Sequence, residues 1–473
     1  MTLLLGMLAA LTAQAGDGRA IDSSRTPPLT VSANGHYLEA GGKPFFWMGD
    51  TGWLLLSRLD RDETERYLAT RARQGFNVVQ VMILHTPQMA SRTGAAALID
   101  GDPARPRVTP GADPQRPGEY DYWDHLDWVI ERAQAHGLYL ALVPAWGSLV
   151  EGKQLNERSA PAYGRFLAER YRGRPNLVWL NGGDTRADTS TIVWESLGST
   201  IKAIDPRHLM TFHPIGRTDS AWQFHEAPWL DFNMVQSGHR SYAQEGPSVR
   251  SEDNWRYIAE DWARLPTKPV IDGEPSYENI PHGLHEADAP RWRAADARRY
   301  AWWAVMAGAF GHSYGENSVM QMLVPGTYKP RFEADQRWDA ALEAPGANQM
   351  RHLRALIEAR PMLERVPDPT LILDNGVRYD RVLASRGRGY AFAYSYSGRA
   401  FTMRLGAIAG RRVVARWYSP RDGSVVVIGS FANRGERRFD PPGAAGPGQD
   451  WVLVLDDAAA RFAAIGAGGE RAQ

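Results

Sequence analysis

The sequence contains no cysteine, and that absence removes several classes of chemistry. Without thiols there are no disulfides, no thiolate nucleophile and no cysteine-ligated zinc or iron–sulfur centre. Neither sign of charge is in surplus, because 54 basic residues balance 54 acidic ones over 473 positions. The chain therefore lacks the long basic run that binds nucleic acid and the polybasic helix that binds a membrane surface. We expect neither as a partner.

Long apolar stretches are also scarce. Residues 1–15 (MTLLLGMLAALTAQA) form a short apolar run that ends in a small-x-small site at Ala13-Gln14-Ala15, which is typical of a signal peptide. The run lacks a positively charged start, so a retained apolar N-terminal segment is the alternative. No other segment approaches the ~20 apolar residues of a membrane-spanning helix. We expect an exported protein, periplasmic or secreted, with no membrane span.

Between residues 30 and 362, short apolar runs alternate with amphipathic helical patterns. The runs are rich in Val, Leu, Met and aromatic residues without strict alternation, as strands buried on both faces should be. Eight such runs, each followed by a helix pattern, favour a (β/α)8 TIM barrel over an open sheet. They cover residues 45–51, 78–84, 139–147, 176–184, 209–216, 232–239, 269–277 and 309–317.

The pattern changes at residue 366. Short, often alternating apolar runs follow, separated by turn signals such as Asn375-Gly376 and Asp422-Gly423. Residues 366–457 are therefore predicted to form a small antiparallel β-sandwich. The short linker near 361–369 favours a domain that packs against the barrel, and polysaccharide binding is the alternative.

Two carboxylates stand where a barrel places its catalytic groups. The fourth run (NLVWLNGGD) ends in Asp184, and the seventh (PVIDGEP) carries Glu274. Catalytic side chains of barrels project from the carboxyl ends of strands, and glycosidic cleavage needs two carboxyl groups. Asp184 alone also fits the cap of a following helix. The pair together predicts a glycoside hydrolase.

Further polar and aromatic side chains stand near the predicted strand ends, where hydrogen-bonding groups and stacking rings hold sugars. Any one of them also fits a structural role. No His-Glu-x-x-His motif or other close ligand spacing occurs, so we predict no metal and no cofactor. The candidates for substrate binding are Asp50, Trp53, His85, Trp146, Asn181, His213, Gln236, His239, Tyr277 and His312.

Two other functions remain as alternatives. Residues 311–315 (GHSYG) match the Gly-x-Ser-x-Gly turn of serine esterases, with Ser313 as nucleophile. That turn needs a helix straight after it and a later histidine, but no convincing helix start follows, and the only later histidine is His352. A non-catalytic carbohydrate-binding protein on a degenerate barrel is the second alternative.

Four segments resemble the apiosidase-like glycoside hydrolases, which are related to glycoside hydrolase family 140. They are residues 46–53 (FWMGDTGW), 75–80 (GFNVVQ), 179–184 (WLNGGD) and 272–275 (DGEP). The family's (β/α)8 domain is often followed by a small β-domain labelled a "putative collagen-binding" module. The similarity extends over about residues 30–457.

The resemblance implies an exo-acting, retaining enzyme, with Asp184 as acid/base and Glu274 as nucleophile. It also implies that Asp50, His85, Asn181 and His213 line the site of the cleaved sugar. The family's known substrate is apiose on the side chains of plant pectin. We therefore expect removal of a terminal apiose-like or related pentose from plant or bacterial polysaccharide side chains.

Overall fold

The computed structural model describes residues 26–244, 250, 252–466 and 471–472. The predicted signal peptide lies outside these residues. The described chain begins with a small antiparallel sheet of β1 (Leu29–Val31), β2 (Leu38–Ala40) and β3 (Lys43–Phe45). This sheet packs at the start of the barrel, where the Tyr139 hydroxyl donates a 2.5 Å hydrogen bond to the Pro27 carbonyl.

A nearly closed barrel follows, which confirms the predicted fold. All eight apolar runs contain parallel strands, and the short β9 joins the sheet antiparallel to β10. The sheet order is β8-β7-β6-β5-β4-β12-β11-β10-β9, so the ladder is interrupted between β8 and β10. The strands are β4 (Trp47–Thr51), β5 (Val78–Leu84), β6 (Tyr139–Ala145), β7 (Leu177–Thr185), β8 (Met210–Pro214), β9 (Thr218–Asp219), β10 (Asn233–Gln236), β11 (Val270–Asp272) and β12 (Gly311–Tyr314).

Helices connect and surround these strands. Local signals set several of their ends: Asp60 and Glu63 form a capping box at the start of α2, and Gly75, with φ 91°, follows its end. The helices are α1 (Leu55–Arg58), α2 (Arg61–Arg73), α3 (Tyr122–Ala135), α4 (Gly147–Glu151), α5 (Ser159–Tyr171), α6 (Thr191–Ile204), α7 (Ala221–Phe224), α8 (Asn254–Trp262), α9 (Ala294–Met306), α10 (Asn317–Met320), α11 (Trp338–Ala341) and α12 (Pro345–Glu358). Within the described ranges, no helix has the length and apolar character needed to cross a bilayer.

The barrel interior is a packed core rather than a channel. Side chains from most of its strands meet in one buried cluster, in which the Trp47 ring lies 6.0 Å from the Phe310 ring and 6.1 Å from the Phe232 ring. Met48, next to Trp47 on β4, instead packs with α9 and α12. Successive side chains on a strand therefore face the interior and the helices in turn, as strand geometry requires.

The C-terminal domain is an antiparallel β-structure in two layers, also as predicted. A seven-stranded sheet has the order β13-β14-β15-β20-β17-β18-β21, and the pair β16–β19 forms the second layer. Only β21 pairs in parallel. The strands are β13 (Val366–Pro367), β14 (Val382–Arg386), β15 (Tyr390–Ser395), β16 (Phe401–Leu405), β17 (Arg412–Tyr418), β18 (Val425–Ala432), β19 (Gly435–Phe439), β20 (Trp451–Asp457) and β21 (Arg471–Ala472).

One face of the seven-stranded sheet packs on the barrel, and the other packs on β16–β19. At the barrel side the Trp302 ring stacks on Tyr394 with 5.6 Å between centroids. The Arg298 guanidinium donates to both carboxylate oxygens of Asp450 at 2.8 and 2.9 Å, and both residues are buried. Apolar burial and a buried bidentate ion pair thus join the two domains.

Candidate active site

A cleft of about 1210 Å³, including its open mouth, lies at the carboxyl ends of the barrel strands. Both Asp184, at the end of β7, and Glu274, just past β11, line it. Strands β7 and β11 are separated by four others on the hydrogen-bonded side of the barrel, so the two carboxylates enter the cleft from different directions. The pair selected from the sequence therefore shares one cavity.

Two imidazoles face the Glu274 carboxylate, one at each oxygen. His239 Nε2 lies 3.2 Å from Oε1 with the geometry of a hydrogen bond. His213 Nε2 lies 2.9 Å from Oε2, close enough for an ion pair but off the ideal hydrogen-bond direction. Glu274 and both histidines are buried. The carboxylate is thus held between two ring nitrogens.

Backbone amides fix which ring nitrogen of each histidine carries the proton. The Asp184 N–H donates to His213 Nδ1 at 3.3 Å, and the Tyr277 N–H donates to His239 Nδ1 at 3.4 Å. Since each Nδ1 accepts, each neutral ring carries its proton on Nε2, which faces Glu274. Across the residues for which the structure gives positions, no three His, Asp or Glu side chains are grouped to hold a metal ion.

These contacts govern the ionisation of Glu274. Burial disfavours the charged form and raises the pKa, but the contacts of the His213 and His239 ring nitrogens with the two carboxylate oxygens outweigh it. The net effect lowers the pKa of Glu274 to about 2. Glu274 is therefore an anion across the ordinary pH range.

A glycine turn at the end of β7 presents Asp184. Gly182 has φ 85° and a Cβ there would lie 2.5 Å from the Phe212 ring; Gly183 has φ 141° and a Cβ there would lie 2.6 Å from the Trp146 ring. Asp184 itself has φ 47°, and the register between β7 and β8 shifts at this turn. Only glycine satisfies both the backbone angle and the lack of space, so the Gly-Gly-Asp order fixes the carboxylate at the cleft.

The pKa of Asp184 is shifted in the opposite direction to that of Glu274. Its side chain is exposed to water at the cleft mouth, although the walls of the cleft stand around it. Desolvation by these surroundings, followed by the negative charge of Glu274, raises the pKa of Asp184, and the neighbouring His213 and a 3.3 Å hydrogen bond from Gln236 Nε2 only partly oppose it. Adjacent carboxyl groups with pKa values pushed apart are suited to different roles in acid–base chemistry.

Most of the predicted binding residues surround this pair. His213 lies behind Glu274 rather than on the cleft wall, and its ring is held at 5.4 Å by each of the rings of Trp53 and Trp146. The predicted residues that line the cleft beside the two carboxylates are Trp53, His85, Trp146, Gln236, His239 and Tyr277.

The structure places Asp50 between the barrel and helix α2, not on the cleft wall. Its Oδ2 accepts hydrogen bonds from the Tyr67 hydroxyl at 2.5 Å and from Arg71 Nε at 2.7 Å. Asp50 and Arg71 are both fully buried. This carboxylate serves as the counter-ion of a buried guanidinium.

Asn181 and His312 also lie away from the cleft wall. The Asn181 amide donates to the Trp194 carbonyl at 2.9 Å and so ties β7 to α6. His312 is buried on β12, and burial lowers its pKa to about 3. Asp50, Asn181 and His312 stand before the rim of the cleft on their strands, where strand alternation turns the side chain to the other face. With His213, four of the predicted residues therefore do not line the cavity.

Ser313 has none of the surroundings of an esterase nucleophile. It is fully buried, and its hydroxyl accepts a 3.2 Å hydrogen bond from the Trp47 indole nitrogen. The helix that follows, α10, has four residues, and the carbonyl of His352 accepts from Tyr418 of the C-terminal domain. The described contacts of Ser313 include no imidazole.

Several cleft residues carry no signal in the sequence. Arg217, with φ 64°, follows β8, while Arg331 and Phe332 come from the long connection between α10 and α11. Arg331 faces His85 and, after burial, is the main reason that the pKa of His85 is lowered to about 4. These residues come from loops that have no periodic pattern.

A family model described as the apiosidase-like catalytic domain matches residues 32–364. The chain belongs to the apiosidase-like family. A second model, described as the "putative collagen-binding domain of a collagenase", matches residues 366–456 of this apiosidase-like protein. The resemblance seen in the sequence is thereby confirmed.

Solved structures extend the similarity to the whole apiosidase-like chain. A glycoside hydrolase family 5 protein from Bacteroides vulgatus is 45% identical, with a TM-score of 0.88 over 94% of this chain and 96% of its own. A structure described as a glycoside hydrolase is also 45% identical, with a TM-score of 0.87 over 93% and 99%. No curated protein matches the chain. The apiosidase-like protein is thus a glycoside hydrolase, which makes a non-catalytic sugar-binding protein the weaker interpretation.

The environment of Asp50 predicts a structural role in this enzyme. Asp50→Ala leaves the buried Arg71 guanidinium without its counter-ion, and we expect a loss of about 3–5 kcal/mol of unfolding free energy. Urea unfolding measures that loss, and KM for a cleaved glycoside should stay unchanged in the folded fraction. Asp339→Ala, which removes a half-buried carboxylate that pairs with the exposed side chains of Arg66 and Arg337, is the control. A raised KM with unaltered stability would instead place Asp50 at the substrate.

Proposed function

We propose that this enzyme is an exo-acting, retaining glycoside hydrolase that removes a terminal apiose-like or related pentose from polysaccharide side chains. One observation carries the proposal: a single cleft holds a carboxylate kept ionised by two imidazoles and a carboxyl group with a raised pKa. Retaining cleavage needs these two states at the same pH. The family description supports apiose as the sugar.

In the first step, Asp184 donates its proton to the glycosidic oxygen while a Glu274 oxygen attacks the anomeric carbon. The bond to the leaving oxygen breaks, and a glycosyl–Glu274 ester forms. The imidazole donors keep the Glu274 carboxylate ionised and fix its orientation before attack. Holding the nucleophile in place in this way reduces the entropic part of the barrier.

The second step uses the coupling between the two carboxyl groups. Ester formation neutralises Glu274, so the negative charge that raises the pKa of Asp184 disappears. Asp184 then remains ionised and accepts a proton from the water that attacks the anomeric carbon. The bond from that carbon to the Glu274 oxygen breaks, which frees the sugar and restores the Glu274 carboxylate. The same group thus serves as acid and then as base, as retaining hydrolysis requires.

The walls of the cleft suit a sugar at the end of a chain. Trp53, Trp146 and Tyr277 offer apolar ring surface, and Gln236 offers an amide. The segments around 280–285 and 331–332 also line the cleft, with Leu284 and Phe332 among them. Side chains from several loops thus stand around the two carboxyl groups, which favours a terminal residue over a long internal stretch of glycan.

Variants at the two carboxylates test the assignment. On an aryl apioside, Glu274→Ala should lose about 10⁴-fold or more in kcat because the nucleophile is gone. Added azide should restore turnover and give the glycosyl azide of inverted configuration. Asp184→Ala should lose far less on a dinitrophenyl glycoside than on a glycan, since that leaving group needs no proton.

Asp188→Ala is the matched control, because Asp188 is a carboxylate four residues from Asp184 whose ion pair among the described residues is with Arg186. It should keep wild-type rates on both substrates. Normal turnover by Glu274→Ala would exclude its role, and proton NMR showing release of the inverted anomer by the wild type would exclude retention.

The pH profile tests the role of the imidazoles. Activity needs ionised Glu274, so kcat/KM decreases as the pH is lowered below the pKa of Glu274. Activity also needs protonated Asp184, so kcat/KM decreases as the pH is raised above the pKa of Asp184. His239→Leu removes one donor, which raises the pKa of Glu274 and moves the acidic limb to higher pH. His136→Leu, at a surface pair with Glu65, should leave that limb in place. If the acidic limb of the pH profile stayed in place in His239→Leu, the role of His239 in keeping Glu274 ionised would be contradicted.

We also propose that the enzyme is exported, because residues 1–15 have the pattern of a signal peptide and polysaccharides lie outside the cytoplasm. Fractionation of cells that express the full chain should recover it from the periplasm or the medium. Deletion of residues 2–15 should retain it in the cytoplasm. The same distribution between cytoplasm and periplasm or medium for the full chain and the deletion variant would contradict export.

A further inference from the structure

The outer layer of the C-terminal domain has a concentration of arginine. The pair β16–β19, the turns beside it and the first residue of β17 expose six of these side chains within 35 positions, although the whole chain has no net charge. We call this set the arginine face. It consists of Arg404, Arg411, Arg412, Arg434, Arg437 and Arg438.

The arginine face has no ion pairs within the part of the chain that the structure describes: no carboxylate oxygen lies within 4.0 Å of its guanidinium groups. Glu436 is the acidic residue in its strands, and it stands opposite Arg404 in the β16–β19 register. By contrast, Arg298 and Arg360 at the barrel side each bind a carboxylate with two nitrogens. The outer arginines are therefore a net positive surface.

Contacts within the domain hold this surface in shape. Arg412 Nη2 donates to the Ser430 carbonyl at 2.9 Å, and the Arg437 guanidinium lies 3.5 Å from the centroid of the Phe431 ring. The Asn433 amide donates to the carbonyls of Ile408 and Gly410 at 2.9 Å each, which fixes the two turns against each other. A fixed surface loses little conformational entropy when it binds a ligand.

The fold does not use the arginine face to join its domains. β16 and β19 pack through buried apolar residues, among them Phe401, Met403 and Phe439, onto the sheet. The opposite face of that sheet packs on the barrel. The arginines thus lie away from the barrel contact, and no contact between the domains offsets the repulsion between their like charges.

We propose that the arginine face binds an acidic polysaccharide, that is, a glycan with repeated carboxylate groups. Guanidinium groups bind carboxylates through paired, charge-assisted hydrogen bonds. The cleft itself presents Arg217 and Arg331, for which the described residues supply no ion-pair partner. Cleft and outer layer therefore suit the same kind of polymer.

A glycan fits this surface better than a nucleic acid does. Single-stranded nucleic acids are held by exposed aromatic rings on which bases stack. Here the Phe431 ring is covered by Arg437, and Phe439 is buried. The catalytic domain also belongs to a glycoside hydrolase family. The inference goes beyond the proposed function, since binding here is independent of the sugar that is cleaved.

Binding at a second site raises the local concentration of the polymer at the cleft. The arginine face should therefore assist hydrolysis of an acidic polysaccharide and have no effect on a small aryl glycoside. Binding of the polysaccharide tests this inference, and cleavage of a glycoside tests the catalytic proposal. If no cleavage is found, the binding measurement still decides whether the arginine face binds the polymer.

The test uses the full chain and four arginines whose side chains make no hydrogen bond or ion pair with described residues. Affinity electrophoresis and calorimetry measure binding to sodium polygalacturonate, with neutral galactan for comparison. We expect about tenfold or greater weakening, given the modest contribution of each exposed charge, and a binding constant that falls as salt is added. The variant combines Arg404→Gln, Arg411→Gln, Arg434→Gln and Arg438→Gln.

A matched variant removes four exposed positive charges outside the arginine face and should bind as the wild type does. Unchanged circular dichroism and unchanged hydrolysis of an aryl glycoside establish that both variants fold. Equal binding of the two variants, equal binding of galactan, or preference for duplex DNA or collagen over polygalacturonate would overturn the proposal. The matched substitutions are Lys43→Gln, Lys153→Gln, Arg172→Gln and Arg461→Gln.

Discussion

The active cleft depends on the contact between one buried carboxylate and two imidazole nitrogens. Burying Glu274 without them would favour its neutral form, and a neutral carboxyl group is a poor nucleophile. His213 and His239 reverse that preference. Their orientation is set in turn by two backbone amides, of Asp184 and Tyr277. Because one of these amides belongs to Asp184 itself, the two carboxyl groups of the cleft are linked through His213.

That link explains why the end of β7 is so constrained. The same turn must bring the Asp184 carboxylate into the cleft and its N–H onto His213 Nδ1. A left-handed backbone at three successive positions achieves both, and the rings of Phe212 and Trp146 leave no space for side chains at the first two. The Gly-Gly-Asp sequence is therefore a geometric requirement of the pair and not only of the strand.

Local signals explain which parts of the fold could be predicted. The ends of α2 follow from Asp60 and Gly75, and the barrel strands follow from their apolar runs. Asp184 and Glu274 stand at strand ends and line the cleft. Asp50 and His312 stand near strand ends too, but strand alternation turns their side chains away from the cavity. A single sequence shows which residues stand near the end of a strand. Which side of the sheet each side chain faces depends on the register of the strand with its neighbours.

Residues brought together by long connections gave no such signal. Arg217 and Arg331 enter the cleft from different loops, more than a hundred positions apart. The arginine face is similar, because only the pairing of β16 with β19 brings Arg404 near Arg438, which stands two positions along β19 from the residue opposite Arg404. Distances of this kind arise from the tertiary fold and have no counterpart in composition or periodicity.

The contact between the two domains limits how such enzymes can be rearranged. A barrel cut free at residue 365 would expose the Trp302 ring to water and leave Arg298 without its carboxylate. The sheet would lose the cover over Tyr394 in the same way. Neither domain could therefore be transferred to another protein by recombination without exposing the surface that the other domain now covers. The catalytic barrel and its β-domain must be inherited, expressed and redesigned as one unit.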